Sequence, residues 1–252
     1  YIGGCCGEFF NGMVDEVSLW DTAFTSTQIS QKMYGTLTGT ETSLKSYLNF
    51  ENNTVGIYSR DEWYRDWNNP YYDQRLDKTE IVQDFSDSEN PTKVVQYNYP
   101  AGSLGPSEGG GQWRTKFANQ DELYISYDIM FMPGFQYALG GKIPGAIGGD
   151  LPDFKRPTGY NGFTGGLMFK GDHRLVFYMY YPDQSFEEGG TSFTWGGVNY
   201  PNGYFLPSSV EVNYGSGEAC YMHPGEWHNI TYRMVVNTLQ SEGHGNYDGI
   251  LE

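Results

Sequence analysis

The sequence has few cationic residues for its length. Among 252 residues it has 15 Lys and Arg against 31 Asp and Glu, a formal net charge of −16. Nucleic acids and anionic membrane surfaces both require a basic patch, so this balance argues against either as a partner. No run of eighteen apolar residues occurs, so we expect no insertion into a membrane. An anionic sugar polymer is compatible with this charge only at a locally basic site.

Cysteine is also scarce, with three residues, Cys5, Cys6 and Cys220. Adjacent cysteines cannot easily pair with each other, so we expect at least one to bond elsewhere, in or outside this chain segment. Free buried thiols are the alternative. The tripeptides NNT at Asn52 and NIT at Asn229 are glycosylation sequons. Together these features predict a secreted, extracellular glycoprotein.

Several familiar catalytic motifs are missing. The sequence has no G-x-S-x-G, no H-E-x-x-H and no phosphate-binding loop, and its 4 histidines are scattered. The adjacent carboxylates Glu187 and Glu188 lie in a glycine-rich stretch, which is typical of a solvated surface and not of a hydrolase pair. No cofactor is predicted from these patterns.

Glycine and aromatic residues are abundant, with 34 Gly, 22 Tyr and an aromatic content of 17%. Because long apolar helical patterns are few, this composition predicts an all-β protein, an antiparallel β-sandwich or jelly roll. Apolar and polar residues alternate over 123–131 and again over 227–236. This period of two predicts half-buried strands in both places.

The stretch GGKIPGAIGG, residues 140–149, has one charged side chain, Lys142. Its glycines and proline predict a loop whose backbone lies close to another group. The following run LVFYMYY predicts a strand with Tyr178 and Tyr180 on one face. A lysine loop beside two phenols is a candidate site, and a packed aromatic face is the alternative.

These motifs, with YISYDIMFMPGF, FTGGLMFK and GEWHNITYRMVVNT, resemble polysaccharide lyase family 14, the alginate and polyuronate lyases with a jelly-roll fold. The resemblance covers about residues 81–252. It implies that Lys142, Tyr178 and Tyr180 are catalytic. It also implies a Ser-x-Arg pair on the strand between them, which here falls on Thr164 and Gly166. Thr164 keeps the hydroxyl of the serine, whereas Gly166 stands in place of the arginine.

The preceding part of the chain resembles a different family. Residues 1–50, with FFNGMVDEVSLWDTAFTSTQIS, are similar to the closing segment of a laminin-G or concanavalin-like domain. In that segment Thr25 and Gln28 predict a capped helix start, and Gly35 predicts its end. Residues 51–80 show neither helical nor strand periodicity and are interpreted as a connector. We therefore expect part of a second β-sandwich at the N-terminus.

Both units are expected to be incomplete. Most strands of a laminin-G-like sandwich would precede Tyr1, and a jelly roll would continue after residue 252, so other chain segments or protein chains are expected to complete them. The carboxylates Asp15, Glu16 and Asp21 could hold calcium in such a fold. A solvated acidic surface is the alternative, because calcium requires six or more converging oxygens.

Cleavage of a polyuronate by β-elimination needs a cation at the C5 carboxylate, a base for the C5 proton and an acid for the 4-oxygen. Without the arginine at position 166, the sequence favours a non-catalytic extracellular protein for carbohydrate recognition or for a matrix or filament, with an acidic polysaccharide or glycan as partner. An active secreted polyuronate lyase is the alternative. It would require Lys170, Arg174 or Arg233 to supply the positive charge of the missing arginine.

Overall fold

The structure is a computed structural model. It describes residues 12–22, 24–33, 35, 37–100, 102–103, 108, 110–138, 140–149, 156–158, 162–182, 191–193, 199–200, 220–241, 244–245 and 248–251. The helices are α1 (Ser26–Met33), α2 (Arg60–Asp66) and a 3-10 turn (Leu76–Lys78). The strands are β1 (Gly12–Trp20), β2 (Leu44–Leu48), β3 (Gly56–Ile57), β4 (Tyr72–Gln74), β5 (Thr79–Asp84), β6 (Thr92–Tyr97), β7 (Gln112–Arg114), β8 (Glu122–Phe131), β9 (Gly141–Gly148), β10 (Phe163–Phe169), β11 (Leu175–Tyr180), β12 (Thr191–Phe193), β13 (Asn199–Tyr200), β14 (Trp227–Val235), β15 (Leu239–Ser241), β16 (His244–Gly245) and β17 (Ile250–Leu251).

Two antiparallel sheets form the body of the described chain. The larger sheet has eight strands in the order β17-β14-β8-β1-β6-β5-β3, with β2 paired to β1. The smaller sheet has five strands in the order β13-β12-β11-β10-β9. The predicted all-β class, an antiparallel sandwich of jelly-roll type, is confirmed.

The core lies between the two sheets. Every second side chain is apolar and buried along β8 and over the Ile230–Met234 part of β14, as the alternation predicts. Aromatic contacts join the sheets: Phe131 meets Phe169 with ring centroids 4.8 Å apart, and Phe177 meets Tyr232 at 6.1 Å. The outer face of each sheet therefore lies outside this core.

The first described strand is part of the larger sheet. Strand β1 lies between β6 and β8, and it pairs with β8 from Gly12↔Phe131 to Trp20↔Tyr124. The predicted division at residue 50 therefore does not follow a sheet boundary. The laminin-G-like character of residues 1–50 remains a prediction. Helix α1 begins as expected, because Thr25 and Gln28 exchange backbone-to-side-chain hydrogen bonds of 2.9 and 3.3 Å.

The predicted connector, residues 51–80, has regular structure. Helix α2 starts with a capping box in which Ser59 and Glu62 bond to each other's backbone N–H. This helix carries Trp63, which is fully buried, has its ring centroid 4.2 Å from that of Trp113 and donates a 2.9 Å hydrogen bond to Thr79. The segment is thus held in the core by its aromatic side chains.

The prediction of a loop over 140–149 is wrong for most of that stretch. Residues Gly141–Gly148 form strand β9 at the edge of the smaller sheet, where a proline is tolerated. Close backbone approach, the second part of the prediction, does occur. A Cβ on Gly145 would lie 2.9 Å from the Cα of Gly166, and one on Gly140 would lie 2.5 Å from the carbonyl oxygen of Phe169. Glycine is required here for contact between strands.

The predicted loop over 182–207 also contains strand. Strands β12 and β13 extend the smaller sheet beyond β11, through pairs such as Tyr178↔Ser192. The remainder of that stretch, including Glu187 and Glu188, lies outside the described residues. Within the described residues, no helix is long and apolar enough to cross a membrane.

Candidate active site

All five residues singled out by sequence lie on one face of the smaller sheet. Leu167, Phe169, Leu175 and Phe177 face the core, so the alternate residues of β10 and β11 face away from it. Three cross-strand rows follow from the register: Lys142, Met168 and Val176; then Gly166 and Tyr178; then Thr164 and Tyr180. We call this surface the tyrosine face.

The two tyrosines of this face are in direct contact. Their hydroxyl oxygens are 3.3 Å apart, and their rings meet edge to face with centroids 5.5 Å apart. Tyr180 is 2% exposed and Tyr178 is 9% exposed. Thr164 fixes the backbone beneath them, because its Oγ1 accepts a 3.0 Å hydrogen bond from the N–H of Tyr180. The pair is therefore a defined arrangement of two phenols.

Two lysines approach the ring of Tyr178. The Nζ of Lys142 lies 4.8 Å from the ring centroid, and the Nζ of Lys170 lies 6.0 Å from it. Both side chains are buried. Lys170 follows β10 and extends its ladder, since its N–H donates a 2.8 Å bond to the carbonyl of Arg174. The tyrosine face thus has two ammonium groups beside one phenol ring.

The backbone opposite Tyr178 is bulged. Pro144 and Gly145 of β9 together oppose Gly166 of β10, because the register shifts between Gly165 and Leu167. A Cβ on Gly166 would have its nearest contact at 3.5 Å, with the carbonyl oxygen of Tyr178, and the backbone there is not left-handed. Position 166 therefore has room for the start of a side chain.

The other cations considered from the sequence lie elsewhere or are paired. Arg174 is buried and forms an ion pair with Asp172, with Nε 2.6 Å from Oδ2. Arg233 belongs to the larger sheet and donates a 2.5 Å bond to Glu122. Of the three, only Lys170 has a described contact with the ring of Tyr178. The period of two places Lys170 on the same strand face as Gly166. The sequence alone could not show which of the three cations lies near Tyr178.

The remaining predicted sites are dispersed. Asn52 is exposed in a turn, whereas Asn229 lies within β14 and its Nδ2 donates a 2.7 Å bond to Asp128. Cys220 forms no disulfide within the described part of the chain, and Cys5 and Cys6 lie outside that part. Their pairing remains a prediction.

The carboxylates considered for calcium do not converge. Asp21 forms an ion pair with Lys45, while Asp15 and Glu16 lie near Asp128, as their mutual electrostatic interactions indicate. Over the described ranges, no group of three or more His, Cys, Asp or Glu side chains is arranged to hold a metal ion. The calcium hypothesis therefore gains no support from these three side chains.

Comparison with known proteins connects this chain to one family. The solved structure of the marine PL-14 alginate lyase from Aplysia kurodai is similar at a TM-score of 0.48 and 16% identity, over 73% of this chain and 70% of that one. Comparison with curated proteins finds no match. The family model for polysaccharide lyase 14 matches residues 87–251, which include every residue of the tyrosine face. The chain belongs to polysaccharide lyase family 14.

Proposed function

We propose that this protein binds an acidic polysaccharide of the polyuronate class on the tyrosine face and cleaves it by β-elimination. In that reaction a base removes the C5 proton, a C4–C5 double bond forms, and the bond from C4 to its oxygen breaks. An acid protonates the departing oxygen. The observation that carries the proposal is the placement of Lys142 and Lys170 beside Tyr178.

The two lysines supply positive charge where the sequence lacks an arginine. A carboxylate bound beside the Tyr178 ring would lie near both ammonium groups, because their Nζ atoms are 4.8 and 6.0 Å from the ring centroid. Positive charge at the carboxylate makes the neighbouring C5 proton more acidic. Two point charges lack the planar, bidentate geometry of a guanidinium, so we expect slower turnover than with an arginine.

The tyrosines supply the proton-transfer groups. A phenol, with an unperturbed pKa of about 10, acts as a base near neutral pH only where nearby cations favour the phenolate. Tyr178 has two lysines beside its ring, and its hydroxyl is 3.3 Å from that of Tyr180. We assign the base and acid roles to this pair as a unit, since a proton can pass between the two oxygens.

Binding without cleavage is the second candidate. It is favoured by Gly166, which has no side chain to clamp a carboxylate, and by the burial of Tyr180, which is 2% exposed. In that case the protein acts in carbohydrate recognition or as a structural component. Both candidates use the same surface and the same class of ligand, so they differ in product formation and not in binding.

The experiment follows the conjugated uronate formed from alginate or glucuronan by its ultraviolet absorbance. We expect slow but measurable product formation, abolished by Lys142→Ala and by Tyr180→Phe. Tyr71→Phe is the matched control, because Tyr71 is 52% exposed and lies outside the tyrosine face. Binding of the polymer with no product from the unaltered protein would favour the second candidate.

We also propose an extracellular location. It rests on the substrate class, since polyuronates occur outside cells, and on the exposed sequon at Asn52. Asn229 is a poorer acceptor, because its amide already donates to Asp128. Detection of glycan on Asn52 by peptide mass spectrometry would support this location, and an unmodified Asn52 in protein isolated from its source would count against it.

A further inference from the structure

The alternation of side chains along β9 is interrupted near its centre. Residues that share a face of a regular strand are two apart, but Ile143 and Ala146, three positions apart, both belong to the core cluster. The extra residue is taken up by the bulge, in which Pro144 and Gly145 together oppose one residue of β10. The residues before the bulge therefore face the opposite way from their direction in an unbroken strand.

The position of this bulge decides the face on which Lys142 lies. Lys142 pairs with Met168, in the outer row that belongs to the tyrosine face. Counted back from Ala146 without a bulge, Lys142 would instead be opposite Phe169, which faces the core. A bulge on the other side of Lys142 would thus take its ammonium group away from the ring of Tyr178.

A buried tyrosine of the larger sheet contacts the bulge from the core side. The hydroxyl of Tyr127 donates a 3.0 Å hydrogen bond to the carbonyl oxygen of Pro144. Tyr127 is 0% exposed, and its strand, β8, is paired along both edges, with β1 and with β14. Burial raises the pKa of Tyr127 well above its usual value. The hydroxyl therefore keeps its proton near neutral pH and remains a donor.

This bond satisfies a carbonyl at a point where the ladder is disrupted. A bulge leaves backbone groups without their usual partners, and a buried carbonyl without a partner is unfavourable. The bulge is therefore most stable where Tyr127 can reach it. From the β10 side, Gly145 comes so close that its Cβ, if it had one, would lie 2.9 Å from the Cα of Gly166. The bulge is thus held between Tyr127 and the backbone of β10.

We propose that Tyr127 is a positioning residue for Lys142. By holding the carbonyl of Pro144 it fixes the bulge, and the fixed bulge keeps the ammonium group of Lys142 on the tyrosine face. Tyr127 lies in the core and acts only through Lys142. Its effect on turnover rests on the proposed lyase function, whereas its effect on the position of Lys142 does not.

The first test measures the accessibility of Lys142 without any substrate. Limiting acetic anhydride labels exposed amines fastest, and peptide mass spectrometry gives the labelling of Lys142 relative to that of Lys116, which is exposed. Lys142 is 7% exposed, so we expect slow labelling in the unaltered protein. In Tyr127→Phe we expect labelling of Lys142 to be about threefold faster or more, because local opening of β9 exposes its side chains.

The chain offers a matched control for this change. Tyr137 is also buried in the core, and its hydroxyl donates a 2.8 Å bond to the carbonyl oxygen of Met222, which is not part of β9. Tyr137→Phe therefore loses the same kind of hydrogen bond at a different segment. It should leave the labelling of Lys142 unchanged.

The second test measures turnover of alginate by the unaltered protein and the two variants. We expect Tyr127→Phe to lower kcat about tenfold with a smaller change in KM, because misplacement of a group that acts in the transition state costs mainly rate. Tyr137→Phe should keep the kcat of the unaltered protein. Thermal unfolding shows that each variant is folded before it is assayed.

Each outcome decides the proposal. Unchanged labelling of Lys142 in folded Tyr127→Phe, or equally faster labelling in Tyr137→Phe, would overturn it. If Tyr127→Phe does not fold, Gly145→Ala displaces the bulge from the β10 side and should also speed labelling of Lys142, and no change there would overturn the proposal. If the unaltered protein forms no product, the lyase assignment fails, whereas the labelling still decides whether Tyr127 positions Lys142.

Discussion

Gly166 determines how a carboxylate can be held on the tyrosine face. Position 166 has no side chain and lies opposite the bulge of Pro144 and Gly145, and Lys142 reaches toward the Tyr178 ring from the adjacent row. In the proposed function, the charge that a side chain at 166 could have supplied would come instead from Lys142 and Lys170. Two ammonium groups on flexible stems would give less directional control over the carboxylate than a guanidinium.

A charge on Asp15 is costly to the fold, because this side chain is buried. Its pKa is raised to about 9 by burial and by nearby carboxylates, against 3.8 in an unfolded chain. The folded state therefore holds a proton that the unfolded state releases between these values. The contribution of Asp15 to stability is thus most favourable below about pH 4 and becomes less favourable as the pH rises to about 9. Asp15→Asn keeps the shape and removes the charge.

We expect Asp15→Asn to raise the free energy of unfolding at pH 8 by at least about 1.4 kcal/mol, the equivalent of one pKa unit. The gain should shrink toward pH 4 and vanish below it, where the wild-type carboxyl is protonated in both states. Urea unfolding at several pH values measures both effects. Parallel pH profiles for the two proteins would show that Asp15 is not protonated in the folded state.

At the scale of single residues, much of the site is predictable from sequence. A period of two puts Tyr178 and Tyr180 on one face, and family resemblance identifies Lys142. Lys170 could be recognised as one of three candidate cations. Its proximity to Tyr178 could not be predicted, because it depends on the direction of a side chain beyond the strand end. The hydrogen bond that Tyr127 donates to the β9 bulge was not predictable, since it joins two different sheets.

Strand β9 shows why glycine content misled the sequence analysis. The glycines of residues 140–149 were interpreted as a loop with a close backbone approach. The close approach occurs at Gly140 and Gly145, but it is an approach between packed strands. The proline is accommodated because β9 is an edge strand. Conversely, helix α2 was missed although its Ser59–Glu62 capping box is visible in the sequence. Its short length and dense aromatic content obscured the helical period.

The close approach of β9 to β10 gives a prediction with an internal control. In Gly145→Ala the new Cβ would lie 2.9 Å from the Cα of Gly166 and 3.2 Å from the carbonyl oxygen of Gly165. We expect a loss of about 1–3 kcal/mol from overpacking against backbone. Gly166→Ala has its nearest contact at 3.5 Å and should be neutral or stabilising by up to about 1 kcal/mol. Thermal unfolding of both variants measures this, and equal losses would contradict the bulge geometry.

At the scale of the whole molecule, β1 joins the first part of the chain to the family-matched part. It lies between β6 and β8 and buries Val14 and Val17 in the core. A fragment of residues 81–252 would leave an edge of β8 unpaired and would remove Trp63 from the core cluster. We expect that fragment to show no cooperative thermal transition by circular dichroism. A transition like that of the full chain would instead support the predicted domain boundary at residue 80.

The overall charge also bears on function. A net charge of −16 repels a polyanion at long range, so in the proposed function the buried lysines of the tyrosine face would attract the substrate only at short range. The fold class could be predicted from glycine, tyrosine and strand alternation. The pairing of β1 into the larger sheet could not be predicted, because strand partners distant in sequence are set by packing of the whole core.

The measurement that tests the central claim most directly is formation of unsaturated uronate by the unaltered protein, Lys170→Met and the double variant Lys170→Met, Gly166→Arg. The account predicts product from the unaltered protein and a loss in kcat/KM of about a hundredfold in Lys170→Met, equivalent to about 2.7 kcal/mol. It also predicts recovery of at least about tenfold when an arginine is restored at 166. No product from the unaltered protein, or unchanged kcat/KM in Lys170→Met, would contradict it.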